Sequence, residues 1–378
     1  MSRPLRALVD PAALGHNLGR VRAVAPGRRV MAIIKADGYG HGLLRVADSL
    51  QGADAFAVAS LEEGLGLRAH GVRVPVLLLE GVFEAEELEL AAQQSLDLVV
   101  HHRWQIEALD RARLPRPVRV WLKLDTGMHR LGFPAEEAAG LRARLGVSPN
   151  VAGPVRFMTH LACADDLEDA ATAAQLARLR AALAGLPGEV SIANSAGVLG
   201  WPETRADWVR PGIMLYGASP FPGRRGRDDG LLPVMTLETC LIAVNRCAAG
   251  EAVGYGATWR CPEAMPVGVA AVGYGDGYPR HLPSGSPVLV RGVRVPLVGR
   301  VSMDMVTLDL RTLPEARPGD RVVLWGEALP VEEVAEAAGT IAYQLLCGLT
   351  TRVPRVATES LPVSVALPSR SVGGAVGG

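Results

Sequence analysis

Through the first 220 residues, short apolar runs rich in β-branched side chains alternate with stretches whose apolar positions recur at helical spacing. RVMAIIK, DAFAVAS, VPVLLLE, LDLVV, VRVWLKL, VRFMTHL, EVSIANS and WVRPGIM read as strands. SLEEGLGLRAHG, FEAEELELAAQQS and LEDAATAAQLARLRAALAGL, between them, read as amphipathic helices. Eight strand-like runs, each followed by a helix or a turn, predict an α/β fold built on a (β/α)8 barrel. An open doubly wound sheet is the alternative, but nothing like G-x-G-x-x-G opens the first helix.

The pattern changes near residue 220. PFPGRRGRDDG reads as a polar linker. Beyond it, MTLETCLIAVNRC, VGVAAVGYG, PVLVRGVRVPLVG and RVVLWG read as closely spaced strands, interrupted by one short helix, VEEVAEAAGT. The expected organisation is a barrel over residues 1–228, a mainly β domain over 229–366 and a disordered tail over 367–378.

Composition narrows the function classes. At 378 residues and 49% hydrophobic, the chain can fill two cores. Its formal net charge is zero, so no field of one sign invites nucleic acid or anionic lipid. Cys163, Cys240, Cys247, Cys261 and Cys347 are scattered and form no C-x-x-C pair, which argues against a disulfide framework or a zinc site and for a reducing compartment. The opening residues lack the apolar core of a signal peptide, and no run reaches about 18 apolar residues. A cytoplasmic protein with neither a metal nor a membrane is expected. One bias stands out: of thirty-nine Lys plus Arg, only Lys35 and Lys123 are lysine.

A (β/α)8 barrel keeps its chemistry at the C-terminal ends of its strands. Lys35 ends the first strand-like run, Arg130 follows the fifth, His160 ends the sixth, Asn194 and Ser195 end the seventh, and Arg210 lies on the eighth. Any one of these reads as well as a cap or a surface residue, but five such positions on one rim do not. Barrels often bind phosphate through the loops after strands seven and eight, here NSAG and RPGI, where Ser195 offers a hydroxyl and Gly212 lets backbone N–H groups approach an anion. A lysine facing such a site suggests pyridoxal 5′-phosphate (PLP), whose aldehyde condenses with an amine and not with a guanidinium.

With these residues in place, the sequence resembles the alanine racemases, of the fold-type III PLP enzymes, over about residues 5–360. KADGYGHG is similar to the PLP-lysine box, which implies Lys35 as the Schiff-base lysine and Tyr39 as a phosphate contact. DTGMHRLG implies Arg130 on the cofactor's phenolic oxygen, and MTHLACAD implies His160 packed on the pyridine ring. ANSAG and RPGIMLYG imply Asn194, Ser195, Gly212 and Ile213 around the phosphate, and AYQLLCGLTTRVPR adds Tyr343. Arg210 is implied to face the pyridine nitrogen, which weakens the ring as an electron sink and limits side reactions. The related decarboxylases usually carry Glu before Pro-Gly and a glycine run in the phosphate loop. This chain has Arg210 and ANSAG instead.

Inverting a stereocentre is simplest with a base on each face. Lys35 supplies one, and VGYGATW resembles the motif of the second, which implies Tyr255. A reference phenol pKa of ~10 calls for help, and His160 and Arg210 are the candidate helpers. The resemblance further implies a homodimer with shared sites, in which Tyr255 and the SMDM segment reach the partner's site. Met303 would offer its N–H to the substrate carboxylate, with Asp304 nearby. Tyr274, Asp165, Arg280, Arg300 and Ile341 are implied at the entrance. The implied reaction interconverts L- and D-alanine and supplies D-alanine for peptidoglycan. Serine or a wider range of amino acids, a decarboxylase, and a non-catalytic PLP carrier are the competing readings.

Lys123 sits on the fifth strand-like run, where an unpaired ammonium would be costly. A neutral amine there can take up CO2 as a carbamate, an anion able to hold Arg130, and many members of the family carry a carbamylated lysine at this position. Pairing of Lys123 with Asp125 or another carboxylate is the alternative.

Overall fold

The computed structural model describes residues 3–358; the expected disordered tail lies outside them. Eight strands, Arg29–Ile33, Ala55–Val58, Val76–Leu78, Leu96–Val100, Val120–Asp125, Arg156–Met158, Val190–Ser191 and Trp208–Val209, pair in parallel, each with the next. Trp208 and Val209 then pair with Arg29 and Val30 and close the barrel. Ala55–Val58, Val76–Leu78 and Leu96–Val100 are buried at every position, as strands between a packed interior and a coat of helices must be. The predicted helices form as Leu61–Ala69, Glu87–Gln93 and Ala171–Ala182. An earlier helix, Pro11–Val24, starts at a cap in which Asp10 accepts N–H bonds from Ala12 and Ala13, with Pro11 at its first position. Asn17 on this helix donates to the Leu215 and Leu232 carbonyls, so a helix from before the first barrel strand covers the turn after the last.

The second domain centres on the 13-residue strand Met235–Cys247. One end pairs with Arg321–Trp325 and the other with Met265–Ala270, and bulges at Leu237/Glu238 and Leu241/Ala243 bend it between the two. The hairpin Pro287–Val290/Val293–Val298 and the strand Val306–Asp309 complete the circuit.

Three expectations need correction. Residues 6–9 do not belong to the barrel: Arg6–Val9 lies between Met235–Cys247 and Arg355–Ala357 in the β domain's sheet. The polar 220–230 segment is not a loose linker. Glu332 accepts the Ser219 and Gly226 N–H groups, and Arg225 pairs with Glu336, which fastens the segment to the helix Val331–Ala337. That helix is not alone in the β region, because AYQLLC forms a second, Ala342–Cys347.

Candidate active site

The residues after the first barrel strand form a left-handed turn. Ala36, Asp37, Gly38, Tyr39 and Gly40 all have positive φ, between 51° and 78°. For the three non-glycine residues this costs about 1–2 kcal/mol each, so the surroundings must hold it. Asp37 accepts the Leu43 N–H through its side chain and the Gly42 N–H through its carbonyl. His41, fully buried, hydrogen-bonds the Gly38 and Tyr39 carbonyls through Nδ1, which must therefore carry the proton, and burial lowers its pKa to about 4. Tyr39 stacks on Tyr216 at 4.5 Å, and the Tyr216 hydroxyl donates to the Ile33 carbonyl. A Cβ at Gly40 would sit 2.1 Å from the Leu346 carbonyl oxygen, so this turn packs directly on Ala342–Cys347 and brings Tyr343 to 6.1 Å from Tyr39.

Lys35 and Tyr39 project from this turn into a cavity of about 310 Å³ at the mouth of the barrel. The same cavity is lined by Arg130, His160, Asn194 and Ser195, and by Arg210, Gly212, Ile213 and Tyr343. Every cofactor-contacting residue expected from the sequence thus meets in one place, with Lys123 beside them. Arg130 is presented by a loop that Asp125 ties down, accepting the N–H groups of Gly127, Met128 and His129. Arg210 is almost wholly buried. It donates to Ser191 Oγ at 2.7 Å and to the Thr159 and Ile192 carbonyls, and burial lowers its pKa only to about 10, so it stays charged at neutral pH. Its Nη2 also lies 3.3 Å from His160 Nδ1. A guanidinium can only donate, so His160 Nδ1 accepts and its proton resides on Nε2. Burial and the adjacent Arg210 push the His160 pKa well down. His160 is therefore a neutral hydrogen-bond donor, and the cationic helper expected for the phenol reduces to Arg210.

Ser195 Oγ accepts the N–H groups of Gly212 and Met214, leaving its own hydrogen free to donate. A Cβ at Gly212 would meet the Tyr39 hydroxyl at 2.5 Å, so only glycine fits this cradle. Burial raises the pKa of both Tyr39 and Tyr343, which keeps them protonated as donors. Hydroxyls gathered around a glycine turn, with an amine in the same cavity, are the donor set that a phosphate-bearing aldehyde needs.

Lys123 is buried and has no carboxylate within ion-pair distance among the described residues; Asp125 is engaged with the loop it caps. Burial, Arg210 and Arg130 lower the Lys123 pKa to about 8. Sequence reasoning missed Glu80, the cavity's one carboxylate, whose Oε1 lies 3.8 Å from Lys35 Nζ. The signal was present, since VPVLLLE ends on it as RVMAIIK ends on Lys35.

Apart from Tyr343, the residues expected from the second domain do not line this cavity. Tyr255 is 69% exposed in a short turn between Gly254 and Gly256, both at positive φ. A Cβ on Gly256 would touch the Arg300 guanidinium at 3.0 Å. Tyr274 N–H donates to the Ser302 carbonyl and Gly275 N–H to that of Met303. Tyr255, Arg300, Tyr274 and Met303 thus share one exposed rim, fixed from behind by buried Asp276, which receives Arg3 and Arg352; both arginines also hold Asp304. Arg280 is exposed on the same domain. Asp165 and Ile341 lie elsewhere, lining a groove of about 530 Å³ that shares His160, Asn194 and Tyr343 with the barrel cavity.

Fold and cavity together define a two-domain barrel protein with a strand-end amine in the cavity at its mouth. Residues 9–220 match the family model for the alanine racemase N-terminal domain, and residues 234–357 match that for the C-terminal domain. The chain belongs to the alanine racemase family. It is 58% identical to an alanine racemase of Nitrosococcus oceani over 93% of this chain and 98% of that one, and 56% identical to one of Halorhodospira halophila over 94% and 98%. Among solved structures, the biosynthetic alanine racemase of Pseudomonas aeruginosa superposes with a TM-score of 0.92 at 48% identity, covering 94% of this chain and all of that one. The Acinetobacter baumannii alanine racemase gives 0.89 at 40% identity, covering the same shares.

Proposed function

We propose that this chain interconverts L- and D-alanine with PLP as cofactor, in a homodimer whose sites draw residues from both subunits, and so supplies D-alanine for peptidoglycan. The observation that carries the reading is the meeting of the Lys35 amine with the Tyr39, Ser195, Gly212 and Tyr343 cradle in one cavity. PLP, when bound, supplies an aldehyde that captures an amine and a ring that takes up the electron pair left when a Cα–H bond breaks. Lys35 would hold the cofactor and would move a proton on one face of the substrate. Tyr255 of a second copy moves the proton on the other. Arg210, buried and charged, would disfavour a second positive charge on a bound ring, and it orders His160, whose Nε2–H has no partner among the described residues and could support the incoming phenol. Met303 N–H, without a partner among the described residues, is available to a substrate carboxylate beside Asp304. Tyr274, Arg280, Arg300, Asp165 and Ile341 would frame the entrance between the two copies.

Lys123 is assigned as a carbamate that orients Arg130. Its depressed pKa leaves roughly a tenth of the amine neutral at pH 7, far more than an ordinary lysine offers to CO2. Chiral analysis of products from L-alanine, D-alanine, serine and lysine, with CO2 release monitored, tests the function. Alanine is expected to racemise fastest without CO2 release; alanine of unchanged handedness would sink the reading.

A further inference from the structure

Glu80 stands at the end of the third barrel strand, in a turn shaped to present it. Its carbonyl accepts hydrogen bonds from His101 Nε2 at 3.0 Å and Gln105 Nε2 at 3.1 Å. The next residue, Gly81, has φ +69°, and a Cβ there would lie 2.3 Å from the Val99 carbonyl oxygen. The backbone is thus clamped to the neighbouring strand, and the side chain enters the cavity. Oε1 lies 3.8 Å from Lys35 Nζ, and Oε2 is buried with no hydrogen-bond partner among the described residues. Around it stand Lys35, Lys123 on the fifth strand and Arg130 in the loop beyond, with Glu63 as a second carboxylate from the helix after the second strand. Arg210 adds a further positive charge on Lys123.

Reaction at Lys35 adds to this positive charge. When the free amine removes a substrate proton, the C–H bond breaks, an N–H bond forms, and the nitrogen becomes an ammonium among like charges. When it returns the proton, the charge disappears. A group that steadies the ammonium without taking its proton makes Lys35 a stronger base. Building on the function proposed above, we propose that Glu80 is the positioning residue for Lys35: its carboxylate receives the Lys35 ammonium in each turnover and holds the nitrogen at the barrel mouth. Under this assignment the cavity's two anions divide its cations, with the Lys123 carbamate on Arg130 and Glu80 on Lys35.

The composition of the chain supplies the test. With only two lysines, full-length protein labelled with 13C at lysine Cε gives two side-chain signals, and the one lost in Lys35→Arg is Lys35. In cofactor-free Glu80→Gln, the Lys35 titration midpoint is expected to fall by about one pH unit, a ten-fold loss in proton affinity. In the holoenzyme, the base limb of the kcat–pH profile should move to lower pH by a similar amount, and kcat should drop about ten-fold with KM nearly unchanged. Glu80→Asp keeps the charge one methylene further back and should show a smaller shift and partial recovery of kcat; it also serves if Glu80→Gln does not fold. A Lys35 midpoint unmoved in either variant overturns the proposal. So does a shift on Lys123 alone, or a rise in KM without a pH shift, which would make Glu80 a partner of Lys123 or of substrate. Borohydride labelling of the wild-type protein separates the two claims. A label absent from Lys35 ends the function reading, whereas an unmoved midpoint with the label in place ends only the role given to Glu80.

Discussion

The barrel mouth and the β-domain rim are built in opposite ways. At the mouth, Arg210 is held by four groups, His160 by Arg210, and Tyr39 by a stack, so the cavity's polar side chains are fixed by contacts within one chain. At the rim, Tyr255, Met303, Met305 and Tyr274 are 69, 52, 44 and 41% exposed, yet the backbone beneath them is fixed by a buried, doubly paired aspartate. Exposed apolar side chains on a rigid footing are a surface prepared for contact rather than a mobile loop. The difference teaches that one chain carries a finished cavity and an exposed rim that does not line it, which is the arrangement the proposed shared site of a homodimer requires.

Breaking each half separately gives the largest effect. Lys35→Ala and Tyr255→Phe are each expected to lose at least about 10²-fold in kcat, the first with loss of the covalent cofactor linkage, the second with its spectrum intact. Mixed after subunit exchange, the two inactive proteins should regain activity, because a heterodimer holds one site with both bases. No recovery despite demonstrated exchange would count against the shared site. A smaller effect should come from loosening the footing of the rim. Asp276→Asn leaves Arg3 and Arg352 without their full counter-charge, which costs about 1–3 kcal/mol of local stability. Weaker subunit association in sedimentation and a KM rise of about ten-fold are expected, with cofactor absorbance unchanged; an unaltered dimer would mean the rim does not depend on Asp276. The smallest effect sharpens the mouth. Protonation removes the Lys123 amine that reacts with CO2, so carbamate occupancy should fall as pH drops below about 8 and recover as it rises. A carbonyl signal from 13C-bicarbonate that disappears in Lys123→Arg would follow it, and electron density ending at Lys123 Nζ in crystals grown above pH 8 would refute it.

Much of the barrel was legible because parallel strands buried on both faces leave unbroken apolar runs, as in VPVLLLE and LDLVV, and several of the polar positions ending such runs, Lys35, Glu80 and His160 among them, line the cavity. The rim could be named only through the family's motifs, since nothing in VGYGATW itself says which surface it faces. Arg6–Val9 escaped notice because four residues carry no periodicity, and its partner strand is more than 220 residues away. The helix Ala342–Cys347 is too short for a helical period to declare itself among strands. The left-handed turn was hinted at only by its glycines; Ala36 and Asp37 adopt it because Asp37, His41 and the helix Ala342–Cys347 hold the backbone there, which is a tertiary effect. Glu80 was overlooked for a different reason. The rule that found Lys35 applied to it equally, but no family motif pointed there.

The strand Arg6–Val9 has a consequence for how the protein is made. It is an inner strand of the β domain, flanked by Met235–Cys247 and Arg355–Ala357, yet the whole barrel is synthesised between it and both neighbours. At about 5–20 residues per second, the segment waits roughly 10–50 s on the ribosome before Glu238 appears opposite Arg6. The barrel can close in that interval, while the β domain cannot. Its nascent edge stays unpaired until Arg355–Ala357 has been synthesised, which makes the second domain the late and aggregation-exposed step of biogenesis and the part for which a chaperone would matter most.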